Sequence, residues 1–402
     1  MSLSNDSGQA PSTGSGQAIV LAELAGSAAY GGGERYLELL MSRLDRAQFC
    51  PLLICPEPGP FRESMERQGV SAQLVHLAPL VNPVALGRLA GLLARERVGI
   101  LQTHGLRSSA YGCLAGRLAG VPVIIATIHN SLQDYPISAA KRWLYRAILR
   151  QVIRLADRII CVSEDLRQDM IARAACNPER TVTIHNGIDL TTLKPSCDRL
   201  AIRTEFRVGL GPLLVVIGRL TEQKGHRYLV QALPHLLTEW PHLKCLIVGQ
   251  GELEQTIAAE ANCLGIGACC LFAGVRRDIP AILAGADLLV LPSVSEGFPF
   301  VLLEALAVGC PVVASHVNGV PELVEHASTG RLVPPRDPNA LAREIREILR
   351  DPARAAAMGQ RGAQVVRDRF TADRMAAQTV ALFEATLRER RATTAAPQGV
   401  HG

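Results

Sequence analysis

The sequence predicts an α/β protein made of two doubly wound domains in tandem. Three observations carry that reading. Short apolar, β-branched runs alternate with amphipathic stretches through most of the chain, which is the rhythm of a parallel sheet. The series breaks at a polar, non-periodic stretch ending near residue 211 and then begins afresh. And 402 residues, 48% of them hydrophobic and 20% charged, are enough for two separate cores.

Residues 1–16 are rich in Ser and Gly, with no basic segment and no apolar run before Ala18. They read as a disordered tail and not as a signal peptide. The first series of strands runs Ala18 to Leu21, Pro51 to Cys55, Ile100 to Gln102, Val123 to Thr127 and Arg158 to Val162. A Gly/Asn turn at His185-Asn186-Gly187-Ile188-Asp189 closes a first domain over residues 17–193, and 194–211 read as the linker. The second series, Pro212 to Ile217, Lys244 to Val248, Ala268 to Phe272, Asp287 to Leu291 and Pro311 to Ala314, repeats the architecture over residues 212–370. Helically spaced apolar residues (Met375, Val380, Leu382, Phe383, Leu387) predict a helix over 371–391, followed by a disordered tail at 392–402.

A formal charge of +5 and a pI near 8.7 suit anionic ligands but fall short of a nucleic-acid binder's profile. The eleven cysteines include no Cys-x-x-Cys. Cys55, Cys161, Cys245 and Cys310 lie in or beside apolar runs, so they read as small core residues of a cytoplasmic protein rather than as disulfides or a zinc site. No stretch approaches the ~18 apolar residues of a spanning helix, so any membrane contact is expected to be peripheral.

Two tandem doubly wound domains place their chemistry where strand-to-helix loops converge on a cleft. In Gly218-Arg219-Leu220-Thr221-Glu222-Gln223-Lys224-Gly225, two cations and a glycine turn precede a helix expected from His226. The unpaired amides and dipole of a helix start already favour an anion there. Arg219 would fork onto phosphate oxygens and Lys224 would add a point charge; two solvated surface cations are the bland reading. Ser295-Glu296-Gly297-Phe298-Pro299-Phe300 with Glu304 puts one acid on a loop and a second on the next helix, suited to two sets of hydroxyls on one extended ligand. An acid pair at that spacing is otherwise ordinary helix surface. In Asn318-Gly319-Val320-Pro321-Glu322 the acid either contacts a ligand or favours a helix N-terminus.

In the first half, Gly31-Gly32-Gly33-Glu34-Arg35 precedes a helix expected over Tyr36 to Leu44. This loop lets a phosphate or acceptor group approach the backbone, or is merely a flexible turn. It does not fit Gly-x-Gly-x-x-Gly, so a dinucleotide-binding fingerprint is not supported. His104 and His129 each end a strand, and His129 is the preferred catalytic candidate. No Asp-x-Asp occurs, so the carboxylate pair that commonly holds a divalent metal on a sugar nucleotide is missing. A metal-free site is expected, with Arg219 and Lys224 neutralising a departing diphosphate.

Taken together these motifs resemble the retaining glycosyltransferases of the GT-B fold, glycosyltransferase family 4, from about Ala18 to Phe370. The carrying segments are Val216-Ile217-Gly218-Arg219 with Lys224-Gly225, Ser295-Glu296-Gly297-Phe298-Pro299 with Glu304-Ala305, and Ile184-His185-Asn186-Gly187-Ile188-Asp189. The resemblance implies two Rossmann-like domains facing each other across a cleft, an acceptor domain first and a nucleotide-sugar donor domain second. It further implies that Arg219 and Lys224 hold the donor diphosphate and Glu304 the ribose. Glu296 with the amides of Gly297 to Phe300 would hold the sugar, and Gly218, Gly249 and Gly251 would border the nucleotide. His129 would lie near sugar and acceptor, Gly31, Gly32, Gly33 and His104 near phosphates or acceptor. Transfer would retain the anomeric configuration, and the C-terminal helix would cross to the first domain. A non-catalytic nucleotide-sugar binding protein, an epimerase and a phosphorylase on the same fold stay open as alternatives.

Arg142, Arg146, Arg150, Arg154 and Arg158 recur at i, i+4. They predict a cationic helical stripe, either a site on anionic lipid at the inner face of the cytoplasmic membrane or an ordinary exposed basic face.

Overall fold

A computed structural model describes residues 18–27, 31–77, 82–131, 138–174, 176–193 and 199–395. The predicted N-terminal tail lies outside them, as do residues 396–402 of the predicted C-terminal one. Two parallel sheets organise the chain. The first has seven strands: β1 (Ile19–Leu24), β2 (Phe49–Cys55), β3 (Ser71–Leu74), β4 (Ile100–His104), β5 (Val123–Ile128), β6 (Arg158–Cys161) and β7 (Thr181–Thr183), in the spatial order β3-β2-β1-β4-β5-β6-β7. The second has six: β8 (Leu213–Ile217), β9 (Lys244–Val248), β10 (Cys270–Gly274), β11 (Leu288–Leu291), β12 (Val312–Ser315) and β13 (Arg331–Val333), in the order β10-β9-β8-β11-β12-β13.

Helices cover both faces of each sheet. The first domain carries α1 (Gly32–Met41), α2 (Pro60–Arg67), α3 (Pro83–Arg95), α4 (Leu106–Leu118), α5 (Ala139–Arg154) and α6 (Glu164–Ala174). The second carries α7 (Arg199–Glu205), α8 (His226–Leu237), α9 (Glu254–Cys263), α10 (Ile279–Gly285), α11 (Phe300–Ala307), α12 (Val320–Leu323), α13 (Pro338–Arg350) and α14 (Pro352–Arg369), and α15 (Ala372–Ala395) follows. The central strands are apolar on both faces, as a doubly covered parallel sheet requires: every residue of β5 and of β11 is buried. In both sheets the strand order reverses once, at β1/β4 and at β8/β11. A crevice opens at the carboxyl ends of strands at such a point.

Several expectations need correction. β3, β7 and β13, with the sequences SAQL, TVT and RLV, were not predicted: they are short edge strands buried on one side at most, so they lack an apolar run. The linker is not wholly irregular, because α7 forms within it and packs Ile202 under α10 beside Gly285. The first helix begins at Gly32 and not at Tyr36, with Gly31 as its N-cap, so the glycine triplet is part of the helix start. The C-terminal helix continues to Ala395, through the first residues of the expected disordered tail. The cationic stripe is shorter than expected: α5 ends at Arg154, and Arg158 opens β6, where it pairs with Glu389 of α15. Arg142 and Arg146 are half-buried, Arg150 and Arg154 are exposed, with Arg150 donating to the Arg173 carbonyl at 2.8 Å, and the helix also exposes Trp143 and Leu144.

After α14 the chain crosses back to the first domain. Ile188 bridges Thr371, with its amide donating to the Phe370 carbonyl at 2.9 Å and its carbonyl accepting from Ala372 at 2.9 Å. The α15 side chains Met375, Ala376, Phe383 and Leu387 then join the core of Tyr36, Leu40, Phe49 and Ile125.

Candidate active site in the interdomain cleft

The strand ends at the two reversal points face each other, and the predicted residues divide between them. On the donor side, the turn after β8 brings Lys224 onto Glu296, its Nζ donating to both carboxylate oxygens at 2.7 and 2.9 Å. The Ser293 hydroxyl adds a third hydrogen bond to Glu296 at 2.6 Å, and the Glu296 amide donates to Asn318 Oδ1 at 3.2 Å. Glu296 is thus a buried acid (4% exposed) held in one orientation, with its oxygens satisfied by a cation and a hydroxyl as a buried polar group requires. Arg219 is exposed at the mouth, with no hydrogen-bonded acid among the described residues.

Gly249 allows the nucleotide side of this pocket to form. Its φ of 134° is open to glycine, and a Cβ there would overlap the Gly218 carbonyl oxygen. The loops after β8 and β9 therefore stack directly, joined by Gly218 to Val248 and Leu220 to Gln250 hydrogen bonds at 2.9 Å. Gly251 lies equally close to Leu220.

Glu304, the fifth residue of α11, faces the cleft from the donor side. Burial pushes its carboxyl up to about 7, offset by the Arg35 guanidinium, whose Nη2 lies 3.8 Å away across the cleft. Arg35 Nε is buried without a hydrogen-bond partner among the described residues. Beside it, Glu34 accepts from the Ser27 hydroxyl at 3.0 Å. Burial raises that carboxyl too, against hydrogen bonds around Ser27 and the charge of Arg219. Acids and cations of the two domains therefore interleave: Glu34 and Arg35 from one side, Arg219, Lys224, Glu296 and Glu304 from the other. In the sequence Glu34 and Arg35 read only as the tail of the glycine loop. Their role in the cleft is invisible there because Glu304, which Arg35 meets, and Arg219, whose charge Glu34 feels, belong to the other domain.

The two sides touch. A Cβ on Gly297 would overlap the His129 carbonyl oxygen, and one on Gly32 would reach the Phe300 ring at 3.8 Å. A Cβ on Gly33 would stand 3.7 Å from the His129 ring. His129 is half-buried at the end of β5; burial lowers its imidazole to about 4. His104, expected at the acceptor or phosphate loop, sits behind it: it is 2% exposed, and its Nδ1 is 3.1 Å from His129 Nε2. Phe298 turns its side chain away from the pocket, into a cluster with His185 and Phe370 at centroid distances of 4.7 and 5.3 Å. Pro299 is the N-cap of α11. Asn186 locks this corner by donating to the Phe298 carbonyl at 2.7 Å.

Glu322 serves a helix N-terminus, but in the other domain. It accepts from the Glu164 and Asp165 amides of α6 at 2.9 and 3.0 Å and pairs with His185 at 2.6 Å. Two unpaired donors of α6 are thereby satisfied across the domain boundary.

Comparison with known proteins accords with this geometry. Residues 30–192 match the family model described as Glycosyltransferase Family 4, and residues 202–365 the one described as Glycosyl transferases group 1. The chain is 30% identical over 297 residues (69% of it and 76% of the relative) to a GDP-mannose-dependent alpha-(1-6)-phosphatidylinositol monomannoside mannosyltransferase of Mycobacterium tuberculosis. It is 29% identical over 301 residues (72% and 77%) to the UDP-Gal:alpha-D-GlcNAc-diphosphoundecaprenol alpha-1,3-galactosyltransferase of Escherichia coli. Among solved structures, Anabaena HepE in complex with UDP-glucose superposes with a TM-score of 0.81 at 23% identity, covering 91% of this chain and all of that one. The alternatives of a binding protein, an epimerase or a phosphorylase find no support in these likenesses. The chain belongs to glycosyltransferase family 4, a sugar-transferring enzyme of the GT-B fold.

Proposed function

We propose that this enzyme moves a sugar, with retention at the anomeric carbon, from a nucleoside diphosphate sugar to a saccharide or lipid-linked acceptor of cell-envelope synthesis, without a metal. The observation that carries the reading is the Lys224–Glu296 pair facing Glu304 and His129 in one cleft. The diphosphate takes Lys224 from Glu296 and adds Arg219, so two cations meet the charge that grows on the leaving group. Glu296, freed from Lys224 but still held by Ser293, accepts from hydroxyls of the sugar, and Glu304 accepts from those of the ribose. The anomeric carbon's bond to the β-phosphate oxygen breaks while its bond to the acceptor oxygen forms on the same face. The acceptor's hydroxyl proton goes to the departing phosphate.

Donor choice is tested by thermal shift with UDP, GDP and ADP: one diphosphate should stabilise selectively by mass action, and no stabilisation by any of them would refute the donor site. With the donor so chosen, Lys224→Ala should reduce transfer at least 100-fold, an effect of the size seen when one charge-stabilising donor is lost; native rates in that variant would refute its role.

The enzyme works against a membrane surface in this reading, through Trp143, Leu144, Arg150 and Arg154 of α5. An aromatic and an aliphatic side chain exposed beside arginines suit the headgroup boundary of an anionic bilayer. No helix among the described residues is long and apolar enough to cross a membrane. In flotation, binding to vesicles with anionic lipid should exceed that to neutral ones and fall with Trp143→Ser; equal partition removes the idea.

A further inference from the structure

His129 heads a file of three groups drawn from the ends of β1, β4 and β5, and the two behind it, His104 and Glu23, are buried. Glu23 Oε2 is 2.8 Å from His104 Nε2, and His104 Nδ1 is 3.1 Å from His129 Nε2. The imidazoles stack with centroids 5.4 Å apart, and the Tyr36 ring closes the group at 5.5 Å from each. The Tyr36 hydroxyl is engaged elsewhere, with Thr379 at 3.2 Å and Gln102 at 3.5 Å. His129 Nδ1 has no protein partner among the described residues. Glu23 is fully buried at the far end of the file.

Two hydrogen bonds in file can run in only two directions. If Glu23 is a carboxylate, His104 donates to it from Nε2, Nδ1 of His104 accepts from His129 Nε2–H, and His129 Nδ1 is left as a bare acceptor. If Glu23 is a carboxylic acid, its O–H donates to His104 Nε2. His104 Nδ1–H then donates to His129 Nε2, and His129 carries a proton on Nδ1. The surroundings favour the second arrangement. Glu23 is fully buried, and its Oε1 has no hydrogen-bond partner among the described residues, which an anion tolerates far worse than a neutral acid. Burial also drives the Glu23 carboxyl well above and the His104 imidazole well below their ordinary values, so an ion pair between them is disfavoured as well.

We propose that Glu23 is a positioning residue: acting through His104, it fixes the proton of His129 on Nδ1, so that His129 presents an N–H donor to an oxygen of the sugar or acceptor. The inference rests on the reading of His129 as a cleft residue near the transferred sugar. It adds the direction of the hydrogen bond and the residue that sets it.

The decisive measurement is nitrogen-15 NMR of the full chain carrying labelled histidine, with His129 assigned by its absence in His129→Gln. His129 should be protonated at Nδ1 in the native protein and in Glu23→Gln, whose amide donates to His104 as the acid does. In Glu23→Leu it should become a tautomer mixture. With the donor sugar selected by thermal shift among UDP-glucose, UDP-galactose and GDP-mannose, Glu23→Gln should keep transfer within about threefold and Glu23→Leu should lose at least tenfold in kcat, with little change in donor KM. Protonation of native His129 at Nε2 alone overturns the proposal even if the Leu variant does not fold. So does a folded Glu23→Gln as impaired as Glu23→Leu, or a Glu23→Leu with native kcat. If His129→Gln itself transfers at the native rate, the underlying placement of His129 fails instead.

Discussion

His226 illustrates how a single residue can carry a pH dependence. It opens α8 two residues after Lys224, is 2% exposed, and has both ring nitrogens without a hydrogen-bond partner among the described residues. Burial first, and then the charge of Lys224, lower its imidazole to about 4. A base whose folded pKa is depressed contributes stability at pH above its unfolded value, near 6.5. That contribution is lost as pH falls through the folded value. Between pH 7 and 4.5 the native chain should therefore lose about 2 kcal/mol relative to His226→Leu, an order-of-magnitude figure. Melting curves of the two proteins at both pH values check this; a constant gap would show that His226 finds a partner. The same scale separates what could be read early from what could not. Arg219, Lys224, Glu296 and Glu304 were legible because the loops holding them follow apolar strands. Glu23 was not, since an acid inside a strand gives no sign of which groups three-dimensional neighbours will offer it.

Among the elements, α15 shows how a helix can belong to one domain in sequence and another in space. Its sequence is amphipathic enough to be predicted, and its apolar residues fill the first domain's core: Phe383 is fully buried and meets the Phe49 ring at 6.3 Å, edge to face. Truncating a buried Phe to Ala typically costs about 3 kcal/mol or more. Phe383→Ala should thus destabilise the first domain by about that amount in denaturant titration, although residue 383 follows the entire second domain. Stability unchanged by the substitution would mean that the helix does not bind there. The edge strands β3, β7 and β13 make the opposite point. They form because a neighbouring strand offers a ladder of hydrogen bonds, and with burial on one side at most they carry little periodic signal.

At the scale of the whole molecule the reaction needs two half-sites brought to contact. Gly297 is a close point of that contact, since any side chain there would meet the His129 carbonyl oxygen, a backbone atom that cannot swing aside. Gly297→Val should leave binding of the selected nucleoside diphosphate within a few fold, because the β8 and β9 loops are untouched, while lowering kcat about 100-fold through misplacement of the reacting groups. Isothermal titration against turnover separates the two; weakened nucleotide binding with kcat at saturating donor unchanged would place Gly297 in nucleotide binding alone. The repeated strand–helix rhythm, the break between domains and the loops bearing cations and acids are written in the chain itself, because they follow from local periodicity and from glycine and proline placement. Long-range packing sets the rest: that Arg35 meets Glu304, that Glu322 caps a helix in the opposite domain, and that Glu23 stands behind two histidines. Those contacts join residues 81 to 269 positions apart, and nothing in a local pattern encodes which distant partner a side chain will face.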